Sequence, residues 1–234
     1  MLAEKLKKII FLDIETVPQM ADYELLSEEM QHLWSEKAAR LYQDKSVEES
    51  YEKAGIYAEF GKIICISVGF IYLKNNEKHI RLKSFASDNE KEILADFAKM
   101  LCRQKTDIYL CGHNIKEFDV PYIARRMLIN GLQLPKLLNI SGKKPWEVHF
   151  IDTLDLWKFG DYKHYTSLKL LTVIFGIPSS KDDIDGSQVA RVYYGEKNLE
   201  RIVTYCQKDV LATAQLFLKM EGEMLINADD VEYA

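Results

Sequence analysis

In the stretch KKIIFLDIETVPQ, Asp13 and Glu15 place two carboxylates one residue apart, directly after the apolar run Ile9 to Leu12. Residues i and i+2 of a strand point to the same face. This spacing predicts two anions projecting together from the end of a buried strand. Carboxylates held that close repel, and each raises the other's pKa unless a cation lies between them. Two later segments carry related side chains. GHNIKEFD supplies Asn114 and Asp119 after a short apolar run, and YCQKD supplies Tyr205 and Asp209 at i and i+4, on one helix face. Brought to one cleft, this set fits metal-assisted phosphoryl transfer. Mg²⁺ and Mn²⁺ prefer oxygen ligands, commonly one or two carboxylates completed by water and phosphate. Two such ions, about 3.5–4 Å apart, can clamp the attacking and leaving oxygens of an in-line displacement. Taken singly, each residue has a plainer reading. Asp119 would complement a helix dipole, and Tyr205 and Asp209 would be a core and a surface residue of an amphipathic helix.

Other chemistries are excluded. None of the five histidines has zinc-ligand spacing with another His or Cys, which argues against a zinc enzyme. No nucleophile elbow and no glycine-rich phosphate loop is present. Cys65, Cys102, Cys111 and Cys206 form no C-x-x-C pair and have apolar neighbours, so they read as buried, reduced thiols of a cytoplasmic protein. The net charge of -5 argues against a protein that coats nucleic acid nonspecifically, but not against an enzyme gripping one strand end. No apolar run approaches a membrane span, so no membrane partner is expected.

Positioning these residues requires a sheet. After the first strand, Met20 to Glu59 is rich in Glu, Lys, Gln and Ala. Leu26, Met30, Leu33, Trp34 and Leu41 recur there at near-helical spacing, predicting two or three amphipathic helices. GKIICISVGFIYL and HIRLKSFAS, joined by KNNEK, predict an antiparallel hairpin. Asp88 is the expected cap of a helix reaching Arg103. Strands are expected over Asp107–Asn114 and Val148–Asp152, with helices from Phe118 to Asn130, after Ser167, and from Leu199 to Met220. The resulting class is α/β, a mixed five-stranded sheet with helices on both faces. In such sheets ligands gather where strands end.

The order of the motifs resembles the DEDD superfamily of 3′–5′ exonucleases, which has a ribonuclease H-like fold. Its D-x-E-T motif is met by Asp13, Glu15 and Thr16, its N-x-x-x-[FY]-D motif by Asn114, Phe118 and Asp119, and its Y-x-x-x-D motif by Tyr205 and Asp209. The tyrosine marks the DEDDy branch. FLDIETVP, GHNIKEFDVPYI and YCQKDVLATAQLF look more narrowly like stand-alone exonucleases related to the proofreading domain of B-family DNA polymerases. The resemblance implies one exonuclease domain over 1–234 with a helical insertion at about 19–60. It implies two divalent ions, Mg²⁺ or Mn²⁺. Asp13 would bridge both, Glu15 and Asp209 would hold the one carrying the attacking water, and Asp119 would support the second. Tyr205 would orient the water, and Thr16 and Asn114 would contact the terminal nucleotide. The implied substrate is the 3′ end of single-stranded or unpaired nucleic acid, DNA favoured over RNA, with nucleoside 5′-monophosphates as products. A ribonuclease D-like RNA exonuclease is the nearest alternative. A noncatalytic adaptor is disfavoured, since it would have no use for clustered carboxylates that repel phosphate. Arg125, Arg126, Lys143, Lys144 and Lys163 are the expected basic residues bordering the cleft.

Overall fold

The computed structural model describes residues 2–104, 107–161, 165–178 and 184–234. Its sheet has the order β5-β4-β1-β2-β3-β6. Strands β1 (Ile9–Pro18), β2 (Gly61–Lys74) and β3 (Glu77–Ala86) form an antiparallel meander, and β4 (Tyr109–Gly112) and β5 (Phe150–Asp152) continue it parallel to β1. The five expected strands are present. A sixth, β6 (Val231–Tyr233), pairs parallel with β3; three residues are too short to show a period in sequence. The hairpin turn takes its geometry from Asn75 and Asn76, both at positive φ (53° and 64°), a conformation that Asn tolerates better than most residues.

Nine helices are described: α1 (Leu2–Leu6), α2 (Glu28–Leu41), α3 (Val47–Ser50), α4 (Glu90–Cys102), α5 (Asp119–Ile129), α6 (Thr153–Lys158), α7 (Leu168–Ile174), α8 (Val189–Arg191) and α9 (Leu199–Met220). The cap of α4 is Asn89, whose side chain accepts the Lys91 amide, rather than Asp88. Helices cover both faces of the sheet because β1 is apolar on both. Ile10, Leu12 and Ile14 join the core formed with α4 and α5, and Ile9 and Phe11 pack with Val210, Ala214 and Phe217 of α9. Burial on two faces is what a central strand of a covered sheet shows.

Between β1 and β2 the expected helices appear as α2, α3 and short 3₁₀ turns, with a core of their own. Trp34 is fully buried there, edge-on to Tyr51 at 5.6 Å and to Phe60 at 5.1 Å. The segment is tied to the sheet by the Gln19 amide on the Phe60 carbonyl (2.8 Å) and by the Tyr122 hydroxyl on the Gly55 carbonyl (2.7 Å). Gly61 is required at this junction, because a Cβ there would run into the Tyr122 hydroxyl.

Arg126 corrects one expectation about substrate grip. It is 6% exposed, and its guanidinium is bonded to Glu90 and to the Ala58 carbonyl, while Glu90 also accepts the Ile63 amide and the Asn130 side chain. The pair joins β2, α4 and α5 and faces away from solvent. Arg126→Ala is expected to destabilise the fold by about 3–5 kcal/mol, because Glu90 would be left buried and uncompensated. Urea unfolding checks this; a change below about 1 kcal/mol would show the pair to be dispensable. Lys143 and Lys144 are exposed but precede the N-terminal end of β5, whereas Asp119 follows the C-terminal end of β4. Arg125 is exposed on α5, and Lys163 lies outside the described residues.

Candidate active site

The odd-numbered face of β1 reads Ile9, Phe11, Asp13, Glu15, Val17. Against it lies α9. Phe11 meets Phe217, and Val17 shares a cluster with Ile202, so the interface is apolar at both ends. The acids occupy the polar gap between. They therefore sit in the middle of a strand that continues to Pro18, not at its end as the sequence suggested. The local end belongs to the neighbour. β4 pairs only with Ile9 to Phe11, which leaves the flank of β1 open beside the acids.

That open flank receives Asp119. Its carboxylate lies near its own amide and that of Ile14, which puts the start of α5 beside β1. The turn that delivers it begins at Asn114, whose φ of 66° suits Asn and whose carbonyl accepts the Glu117 and Phe118 amides. Asp152, at the end of β5, holds this turn. It is 3% exposed and accepts the amides of Asn114 (2.9 Å), Lys116 (3.1 Å) and Leu154 (2.9 Å). His113 adds a second tie. Its Nε2 donates to the Thr166 carbonyl at 2.8 Å and its Nδ1 lies 2.9 Å from Thr153 Oγ1. Burial lowers the His113 pKa, so the ring is a neutral strut between β4, α6 and the approach to α7.

The carboxylates act on one another. Burial, followed by the charges of Asp209 and Asp119, pushes the Asp13 pKa well up. Burial and then Asp13 and Asp209 do the same to Glu15. Burial raises Asp119 to about 7 against the two amides that oppose it. Tyr205 lies beside Asp209, and burial followed by the charges of Asp209, Glu15 and Asp13 raises its pKa, keeping the phenol protonated. Burial and like charge thus act in the same direction on Asp13 and Glu15, and a bound cation would offset both.

Of the residues expected from sequence, Asp13, Glu15, Asp119, Tyr205 and Asp209 thus sense one another. Asn114 shapes the turn. Thr16 falls on the other face of β1, near Tyr122. A β-bulge separates Glu15 from Thr16, a feature common beside active sites.

Three features were missed by sequence reasoning. Cys206 is buried with its Sγ 3.3 Å from Asp13 Oδ2, and Asp13, Glu15 and Cys206 place ligand atoms within 4.8 Å of one another. Burial pushes the Cys206 thiol up, which favours its role as a donor to Asp13. Cys65 and Cys111 are buried as expected, but Cys102 is exposed. Beside Asp13, its register partner Ser67 bonds to Ser84 (2.8 Å), which accepts from Gln207 of α9 (3.0 Å). Asp152 is the third. A serine inside ICISVGF and an acid ending HFID were visible, but strand register decides which face they join.

The family described as "Predicted 3'-5' exonuclease related to the exonuclease domain of PolB" matches residues 56–232. The match contains Asn114, Asp119, Tyr205 and Asp209, and β1 brings Asp13 and Glu15 to them. Two relatives named DNA polymerase, from Pyrococcus glycovorans and Desulfurococcus sp. (strain Tok), are 26% and 25% identical over 153 and 150 residues. Each alignment covers 58% of this chain and 19% of the polymerase, so the chain spans about a fifth of those relatives. The family B DNA polymerase of the hyperthermophilic archaeon Pyrobaculum calidifontis superposes with a TM-score of 0.55 at 13% identity, over 90% of this chain and 24% of that one. At that identity the likeness is one of fold, and it agrees with the ribonuclease H-like arrangement that the motifs implied. Among the described residues no helix is long and apolar enough to cross a membrane. The chain belongs to the family of predicted 3′–5′ exonucleases related to the exonuclease domain of PolB.

Proposed function

We propose that this chain is a metal-dependent 3′–5′ exonuclease that degrades single-stranded DNA or unpaired DNA ends and releases nucleoside 5′-monophosphates. The observation that carries this reading is the meeting of Asp13, Glu15, Asp119 and the Tyr205–Asp209 pair on the open flank of β1. The domain reading follows from it: one exonuclease unit over 1–234, with 19–60 as an arm that leaves the strand a few residues after Glu15.

The donor set fits divalent cations. Asp13, Glu15, Asp119 and Asp209 offer hard oxygen ligands, and burial together with neighbouring acids raises the pKa values of Asp13 and Glu15, a cost that a divalent ion would relieve. When bound, a pair of Mg²⁺ or Mn²⁺ ions supplies the Lewis acidity for activating a water and stabilising the leaving 3′-oxygen. The four carboxylates hold the ions. The Tyr205 hydroxyl, kept protonated and oriented by Asp209, positions the attacking water. Asn114 and Asp152 keep the Asp119 turn in place, and Thr16 and Asn114 contact the terminal nucleotide. The names of the curated relatives favour DNA over RNA.

Matched DNA and RNA oligonucleotides labelled at the 5′ end test this reading. The expected result is a descending ladder in Mg²⁺ or Mn²⁺, none in EDTA, and faster loss of DNA. Activity that persists through thorough chelation would overturn the metal reading, and faster loss of RNA would select the ribonuclease D-like alternative. Tyr205→Phe is expected to lower turnover by about 10²–10⁴-fold with the metal dependence intact, because one orienting hydroxyl is lost while the ring still packs. Rate against metal concentration checks it. A shifted metal requirement with normal maximal rate would reassign Tyr205 to metal holding.

A further inference from the structure

On the sheet face opposite Asp13, at the tip of the β2–β3 hairpin, a second group of ligand atoms converges from two separate parts of the chain. Glu77 and His79 are two residues apart on β3 and share a face. Asp230 comes from the segment leading into β6, which the Ile80–Val231 pairing sets beside them. The Glu77 and Asp230 carboxylates and the His79 imidazole place one ligand atom each within 4.8 Å of one another. We infer that these three residues bind a transition-metal dication of the Zn²⁺ class, which fastens the C-terminal strand to the sheet edge.

The donor chemistry selects the ion. Two carboxylates and a neutral imidazole carry two negative charges, which a dication neutralises. Imidazole suits Zn²⁺ and its neighbours, whereas Mg²⁺ is served by oxygen ligands alone. Three protein ligands with one open position is a familiar zinc arrangement, with metal–ligand distances of about 2.0–2.2 Å. In a tetrahedron of that size neighbouring ligand atoms are about 3.3–3.6 Å apart. His79 Nδ1 and Asp230 Oδ1 are 3.3 Å apart, already the edge that such an ion needs.

Both ligands are also held in place. Asp230 Oδ2 accepts from the Asn227 amide group at 3.0 Å, which turns Oδ1 towards His79. The His79 ring stacks on Tyr72, its register partner, with centroids 5.4 Å apart and planes 22° apart. Tyr72 is fixed in turn by a bond from its hydroxyl to Glu232 of β6. Outer contacts of this kind orient metal ligands. The side chains of His79 and Asp230 are only 12% and 14% exposed, so the pair is sheltered but reachable. The competing account is a plain His79–Asp230 ion pair, with Glu77 balanced by Lys74, its partner across the turn.

Zinc binding by the whole chain separates the two accounts, and does so independently of the exonuclease reading. The background carries Asp13→Asn and Asp209→Asn to silence the carboxylate cluster, and Cys102→Ser to remove the exposed thiol. Calorimetric titration with Zn²⁺ in excess Mg²⁺ is expected to show one ion per chain. His79→Phe, which keeps the ring against Tyr72 but removes the nitrogen, should weaken binding at least 10-fold, and Asp230→Asn should weaken it as well. Zn²⁺ at a hundredfold excess over its Kd should raise the thermal midpoint by about 5–10 °C, and not do so in His79→Phe. In the otherwise unaltered chain, His79→Phe should leave turnover in Mg²⁺ unchanged. No zinc binding by the background protein, or equal binding by His79→Phe, would overturn the site in favour of the ion pair.

Discussion

Asp13→Ala is expected to lower exonuclease turnover by more than about 10²-fold, the upper range for losing an outer contact of a metal ligand, while the chain remains folded. Asp13 occupies the centre of the cluster. Its carboxylate feels Asp209 and Asp119, it lies beside Glu15 on one strand face, and it accepts from the Cys206 thiol. Asp209→Ala should be nearly as damaging, because it removes a carboxylate and also the partner that orients Tyr205. Folding should survive both changes. Each removes one carboxylate from a crowded group of acids, and the apolar contacts of Phe11 and Val17 on either side are untouched. Single-turnover digestion of a labelled oligonucleotide, alongside a urea titration, measures the two effects separately. Wild-type turnover in Asp13→Ala would remove Asp13 from the mechanism, whereas a collapsed urea midpoint would make the residue structural.

The metal-free chain should lose stability as pH rises from about 4 to about 7, by an amount on the order of 4 kcal/mol from Asp119 if its whole shift is expressed. Asp119 titrates at about 7 when folded, against an ordinary aspartate value near 4. Between those values the folded chain binds more protons than the unfolded one, so stability falls with increasing pH. Asp13 and Glu15, both shifted upward, act in the same direction. A divalent ion reverses the effect, because it binds the deprotonated carboxylates of the folded chain and releases protons as it does so. Urea midpoints measured in EDTA at pH 5 and pH 7.5 should therefore diverge, and Mn²⁺ should raise the midpoint at pH 7.5 more than at pH 5. Asp119→Asn should flatten the decline. An identical pH dependence in wild type and Asp119→Asn would show that Asp119 is not buried among anions.

The sequence determined the chemistry-bearing residues and the elements that carry them. Hydrophobic periodicity marked β1, the hairpin and α9, and three short motifs named the carboxylates and the tyrosine, because residue type and local spacing are properties of the chain itself. It also showed helices between β1 and β2. What it could not determine was which surfaces those elements present to one another. Arg126 read as a cleft cation because its charge is visible and its partner Glu90, 36 positions earlier, is not. The same gap hid the gains. Cys206 looked like one more buried thiol until α9 packed against β1 and set it 3.3 Å from Asp13. His79 has no His or Cys at ligand spacing, yet β6 brings Asp230 to within 3.3 Å of it. Strand register and helix docking are collective outcomes of burying many apolar side chains at once, so the contacts they create between distant polar residues leave no local trace in the sequence.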